Sequence, residues 1–155
     1  MMIIIICVVI LICLYSYWFG EWRTKKKYKS LLYHDRLTGL YNRDYLEDHK
    51  KTFGDCYVTI VDIDDLKHTN DTQGHEMGDV RIKYVAAMLD RYKGVTVRLG
   101  GDEFLLITDT YPNDIEHLLK FSSYGVVYKR HKISLSDAMR EADRQMYKMK
   151  KKEVA

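Results

Sequence analysis

Cysteine is scarce in this chain, and its three residues, Cys7, Cys13 and Cys56, have neither the paired spacing of a zinc site nor that of a disulfide framework. They read as small apolar packing residues, and nothing here calls for an oxidising compartment. Internal repeats and low-complexity stretches are also missing. With 155 residues, 30% of them charged and the apolar ones scattered among them, one globular domain is expected and a disordered chain is not. A basic surplus over that domain is lacking as well. The formal charge is +3, but residues 1–34 hold five basic side chains against Glu21 alone, so the remainder carries about −1 and gives no footprint for a nucleic acid polymer.

One long apolar run stands apart. Residues 3–19 are apolar or aromatic except for Ser16, and with Met1 and Met2 they would reach about 28 Å as a helix, close to a bilayer's hydrocarbon thickness. Tyr15, Tyr17, Trp18 and Trp22 gather at its downstream end, where amphipathic rings favour the headgroup zone. Arg23, Lys25, Lys26, Lys27 and Lys29 follow, which favours a cytoplasmic side for what comes after and anionic lipid as their partner. No basic residue precedes the run and no small-residue cleavage site follows it, which argues against a secretory signal. The expected organisation is a single-pass anchor over residues 1–20 in the cell's inner membrane, a basic linker over 21–34, and a cytoplasmic domain over 35–155.

Beyond the linker, Asn42 is placed to cap a helix reaching about His49, and Tyr57 to Ile63 reads as a buried strand ending on Asp62. Val80, Tyr84, Val85, Met88 and Leu89 recur at helical spacing between Asp79 and Arg91. The runs 95–97 and 104–107 form a hairpin, Pro112 opens a helix of about two turns, and Phe121 to Tyr128 is a further strand. Ser134 or Ser136 caps a last helix in which Leu135, Met139, Ala142, Met146 and Met149 share a face. This order suits an α+β sheet covered by helices.

The chemistry concentrates at two places. Gly100-Gly101-Asp102-Glu103-Phe104 puts two glycines and two acids at the hairpin tip, a turn that lets a phosphate-bearing ligand approach the main chain while its carboxylates hold a divalent cation. A second acidic strand end, Asp62-Ile63-Asp64-Asp65, lies upstream, followed by Lys67, Asn70, His75 and Asp79. An EF-hand is excluded, because Lys67 stands where that loop needs glycine.

On these residues the chain resembles the GGDEF domain, the catalytic module of diguanylate cyclases. Asp35-Arg36-Leu37-Thr38-Gly39-Leu40-Tyr41-Asn42-Arg43 is similar to the family's opening signature, and Ala142, Asp143, Met146, Tyr147 and Lys150 to its closing helix. The resemblance implies a palm-like fold of nucleotide cyclases and polymerases, with a ferredoxin-like βαββαβ core. It implies condensation of two GTP into cyclic di-GMP and two pyrophosphates across a homodimer, each subunit presenting one GTP. Two Mg²⁺ or Mn²⁺ ions per site would be held by Asp62, the Ile63 carbonyl, Asp102 and Glu103, with Asp102 the candidate acceptor of the 3′-hydroxyl proton. Asn70 and Asp79 would read guanine, His75 would be a further substrate position, Lys67 and Lys150 would contact phosphate, and Gly100 and Gly101 would admit the substrate. Read singly, Asp79 could instead cap the following helix, and either lysine could be an exposed surface residue.

Two departures bear on activity. The family's product site pairs arginine with aspartate three residues later, whereas here Arg91 is followed by Gly94, so product inhibition there is expected to be lost. The family's closing arginine is also replaced by Val154, and the stretch between Ile107 and Phe121 is short. These departures favour the alternative of a weak or inactive module that binds GTP or cyclic di-GMP as a membrane-bound regulator. The intact acids oppose it.

Overall fold

The computed structural model describes the backbone of residues 1–153 and all side chains there except those at 3–7, 9, 22, 24–31, 118, 152 and 153. Val154 and the side chains of Cys7, Trp22, Lys25, Lys26, Lys27, Lys29 and Lys152 thus lie outside the described residues. The chain forms two compact units, Met1–Tyr33 and His34–Ala155.

The first unit is a single helix, α1 (Met2–Leu32). Its Tyr15 and Phe19 rings stack with centroids 5.9 Å apart, and the Arg23 guanidinium lies 5.8 Å from the Phe19 centroid. Helix is what the apolar run predicts, but the backbone continues unbroken through Gly20 and the basic residues. Residues 3–7 and 9 of the expected span have side chains outside the described residues, and among the described residues no helix is long and apolar enough to cross a membrane. After Leu14 the run passes to Tyr15, Ser16, Tyr17 and Trp18, whose polar atoms favour an interface over hydrocarbon.

The second unit is a five-stranded sheet in the order β1-β3-β4-β2-β5. The strands are β1 (Tyr41–Asn42), β2 (Cys56–Ile63), β3 (Gly94–Gly100), β4 (Glu103–Thr108) and β5 (Ser122–Lys129). All pairings are antiparallel except the two-residue β1, which joins the edge parallel to β3. Without β1 this is the expected βαββαβ arrangement.

Two helical layers bury the sheet. On one face α3 (Leu66–Gln73) and α4 (His75–Leu89) contribute Leu66, Ile82, Val85 and Leu89 against Val61, Ile63, Phe104 and Leu106. On the other, α2 (Arg43–His49) and α6 (Leu135–Glu153) set Leu46, Leu135, Ala142 and Met146 against Val58, Ile60, Val97 and Leu105. β2 is covered on both sides, which explains its nearly continuous apolar sequence.

The caps read from sequence are present. Asn42 Oδ1 accepts from the Tyr45 amide at 3.1 Å, and Ser134 Oγ accepts from the Asp137 amide at 3.1 Å. Other elements differ from expectation. α5 (Ile115–Leu118) is one turn and not two, since the chain must extend early for the Phe121 carbonyl to accept from the Asp64 amide at 3.1 Å. Helix α3 is an element that the apolar pattern does not announce, and α4 begins at His75, four residues before the helical spacing that starts at Asp79.

Candidate active site

The β3–β4 turn is shaped by its glycines. A bulge falls between Arg98 and Gly100, and Gly101 has φ +49°, a conformation that side chains disfavour. Arg98 then locks the tip: its Nη2 and Nε donate to the Gly101 carbonyl at 2.7 and 3.2 Å, and its Nη1 donates to Asp35 Oδ1 at 3.0 Å. Asp35 also accepts from the Thr38 amide at 2.9 Å and hydroxyl at 2.7 Å. Burial pushes the Asp35 carboxyl up, but the bonds from Thr38 and Arg98 more than offset this and leave it below its ordinary value. The opening signature and the hairpin tip are therefore one structural unit. Arg98 carries no local signature of this role beyond a cation two residues before a glycine pair, because its partner Asp35 is 63 residues away.

The tip is tied to β2 as well. The Ile63 amide donates to the Asp102 carbonyl at 3.1 Å, and Asp62 and Glu103 are direct partners in the β2–β4 register. Directly opposed residues share a sheet face, here the face covered by α6, and opposed like charges repel. Burial, with the neighbouring Asp102 and Asp64 charges, raises the Asp62 carboxyl above its usual range despite a bond from Lys150. Burial, then Asp62 and Asp102, raises Glu103 likewise. Glu103 also borders a cavity of about 350 Å³ between α2 and α6, lined by Arg43, Leu46, Leu99 and Asp143 among others.

Lys150 answers this excess of negative charge. Its ammonium forms a short ion pair with Asp62 Oδ1 and lies 3.8 Å from Asp64 Oδ1, while Ser123 Oγ donates to Asp64 at 2.8 Å. Burial pulls the Lys150 pKa down, but Asp62 and the other carboxylates outweigh it and leave the group above its ordinary value. Lys150 is accordingly not the freely exposed lysine of the bland reading.

The remaining expected residues form a second group. Asn70, half-buried near the end of α3, has its side-chain amide against Gly78, and its backbone carbonyl accepts from the Gly74 amide at 3.0 Å. His75 and Asp79 are exposed on the first turns of α4, and Lys67 is exposed on α3. Asp79 lies inside α4 and Gly74 is the N-cap residue, so the capping role considered for Asp79 is not the one it has. Gly100 and Gly101 are exposed at the tip.

Among the described residues no three His, Cys, Asp or Glu side chains gather closely enough to hold a metal by themselves. The donor set nevertheless fits a hard divalent cation, which takes oxygen ligands and needs only one or two protein carboxylates beside phosphates and water. Burial, with the neighbouring carboxylates adding to it, raises Asp62 and Glu103, and a bound cation offsets both by favouring the charged forms.

Comparison with known proteins decides the family. A model described as "Diguanylate cyclase, GGDEF domain" matches residues 32–126. The chain belongs to the GGDEF domain family. It is 30% identical over 141 residues to the probable diguanylate cyclase DgcJ of Escherichia coli, covering 73% of this chain and 28% of DgcJ. It is 32% identical over 130 residues to MucR of Pseudomonas aeruginosa, a bifunctional diguanylate cyclase and cyclic di-GMP phosphodiesterase, covering 74% of this chain and 19% of MucR. The chain thus spans a minor part of these relatives' lengths. The crystal structure of the GGDEF domain of DgcB from Caulobacter crescentus, in complex with c-di-GMP, superposes with a TM-score of 0.65 at 25% identity, covering 77% of this chain and 90% of that one. The palm-like α+β fold of this GGDEF domain is shared with it.

Proposed function

We propose that this GGDEF protein is a diguanylate cyclase that joins two GTP into cyclic di-GMP and two pyrophosphates, with two subunits facing each other. The observation that carries the reading is the register of Asp62 against Glu103, with Asp102 bonded to the end of the same strand. Asp62, the Ile63 carbonyl, Asp102 and Glu103 would hold divalent cations, Mg²⁺ or Mn²⁺. Once bound, such ions neutralise triphosphate charge and lower the pKa of the attacking hydroxyl.

The chain's own groups do the rest. Asp79 and Asn70 accept the N1 and N2 hydrogens of guanine, a pattern adenine does not offer, and His75 borders the same corner. Lys67 and Lys150 contact phosphate. Asp102 takes the proton of the 3′-hydroxyl as its oxygen attacks the α-phosphate of the facing GTP and pyrophosphate leaves. Since each subunit presents one nucleotide, a homodimer is required. The apolar run at residues 3–19 and its basic flank would keep subunits at the inner membrane, with the domain in the cytoplasm and the lysines against anionic lipid. There, confinement raises the effective concentration of partners. This membrane placement rests on the sequence.

Incubating the purified protein with GTP and Mg²⁺ and identifying the product by chromatography and mass spectrometry tests the reading. Cyclic di-GMP is expected. GTP binding without any dinucleotide would overturn it and leave the regulator.

A further inference from the structure

The placement of Lys150 is built into the core. Gly125 of β5 pairs with Ile60, two residues from the Ser123–Asp62 pair. A Cβ on Gly125 would sit 2.0 Å from the Ala142 carbonyl oxygen and 2.7 Å from the Met146 amide, so the α6 backbone lies directly on the strand there. From Met146 to Lys150 is one helical turn, about 6 Å along the axis, and from Gly125 to Ser123 is about 6.7 Å along the strand. The two advances match, and they bring the Lys150 ammonium to Asp62 and within 3.8 Å of Asp64.

We propose that Lys150 is a resident stand-in cation that balances Asp62 and Asp64 in the unliganded protein and gives up Asp62 when a divalent cation enters. This deepens the proposed function and rests on its cation-binding part. An ammonium paired with a carboxylate and an entering divalent cation compete for the same oxygen. Lys150 therefore weakens cation affinity before substrate arrives, and its freed ammonium becomes available to the triphosphate that accompanies the cation. Lys150 is on this view a positioning residue that couples cation entry to phosphate binding. The tight seating at Gly125 leaves the exchange to the flexible lysine stem and keeps the helix where it is.

The test is Mn²⁺ binding to the full chain without nucleotide, followed by electron paramagnetic resonance, for the wild type, Lys150→Met and Lys148→Met. Lys148 is an exposed lysine on the same helix, and its substitution removes the same unit of charge. Lys150→Met should bind Mn²⁺ up to about fivefold more tightly, the effect of deleting a competing, partly exposed ion pair. Lys148→Met should match the wild type. Equal affinities for all three, or the same gain in both variants, would overturn the proposal.

A second measurement needs no variant. Acetylation of Lys150 in the wild type, followed by peptide mass spectrometry, should speed up on adding Mg²⁺ while Lys148 is unchanged, and an unaltered Lys150 rate would count against the exchange. Failure of this idea is separable from failure of the cyclase reading. Dinucleotide formed from GTP by a chain whose Mn²⁺ affinity ignores Lys150 would sink only the exchange, whereas a Lys150-dependent Mn²⁺ site without dinucleotide would sink only the cyclase.

Discussion

The acidic strand ends and the α3–α4 corner solve opposite problems. At the strand ends, Asp62, Asp64 and Lys150 already satisfy one another, Asp102 is bonded to β2 through its backbone, and Arg98 fixes the tip. At the corner, His75 and Asp79 stand exposed with no side-chain hydrogen bond or ion pair to another described residue. A ligand reaching the corner displaces only water, while one reaching the strand ends must replace an interaction the protein already has. Charged groups half-buried together need internal balance, and exposed ones are balanced by solvent. On the proposed function, the acidic end would serve stability and chemistry together, and the corner recognition alone.

Substitutions can break this contrast. The largest effect is expected from Asp62→Ala or Asp102→Ala, each of which should reduce dinucleotide synthesis from GTP to background in a steady-state assay. Near-wild-type turnover in either would contradict the assigned roles. Asp79→Asn should instead raise the KM for GTP about tenfold to a hundredfold, the weight of a charge-assisted bond, and leave the thermal midpoint and Mn²⁺ binding alone. Loss of stability in Asp79→Asn would erase the distinction between the two regions.

Gly125→Ala should cost about 1–3 kcal/mol in chemical denaturation by forcing α6 off β5, and should weaken the hold of Lys150 on Asp62. The smallest effect concerns Asp35 and Arg98. A double-mutant cycle should give a coupling of about 1 kcal/mol for this partly exposed pair. Because the folded-state pKa of Asp35 is depressed below 3.8, its contribution is complete above that pH and is lost as pH falls through the lowered value. Asp35→Asn should therefore flatten the acid limb of the stability curve, and an unchanged limb would show that other carboxylates dominate.

Sequence patterns revealed those parts of the molecule whose causes are local. Asn42 and Ser134 were legible as caps, β2 as a covered strand, and the Gly100–Gly101 turn as a hairpin tip, because each depends on neighbours a few residues away. Helix α3 was obscured because only Leu66 and Thr69 are buried along an otherwise polar stretch, too few to show a period. Of the site residues, the resemblance supplied the names and the topology supplied the proximity of Asp62, Asp102, Glu103 and Lys150. The Arg98–Asp35 tie and the seating of α6 on Gly125 arise only from tertiary contact, so no spacing rule could announce them.

The pairing of β2 with strands on both sides also constrains how this protein can change over evolutionary time. Inserting or deleting one residue early in β2, just after Cys56, would turn the aspartate toward α4 and an aliphatic side chain toward Lys150, while also exchanging the core residues that follow it between the two layers. Chemistry and foldability are therefore lost together under such a shift. If the proposed cyclase activity holds, descendants of this chain that abandon it should do so by single replacements at the acids, with the length of the central strand preserved.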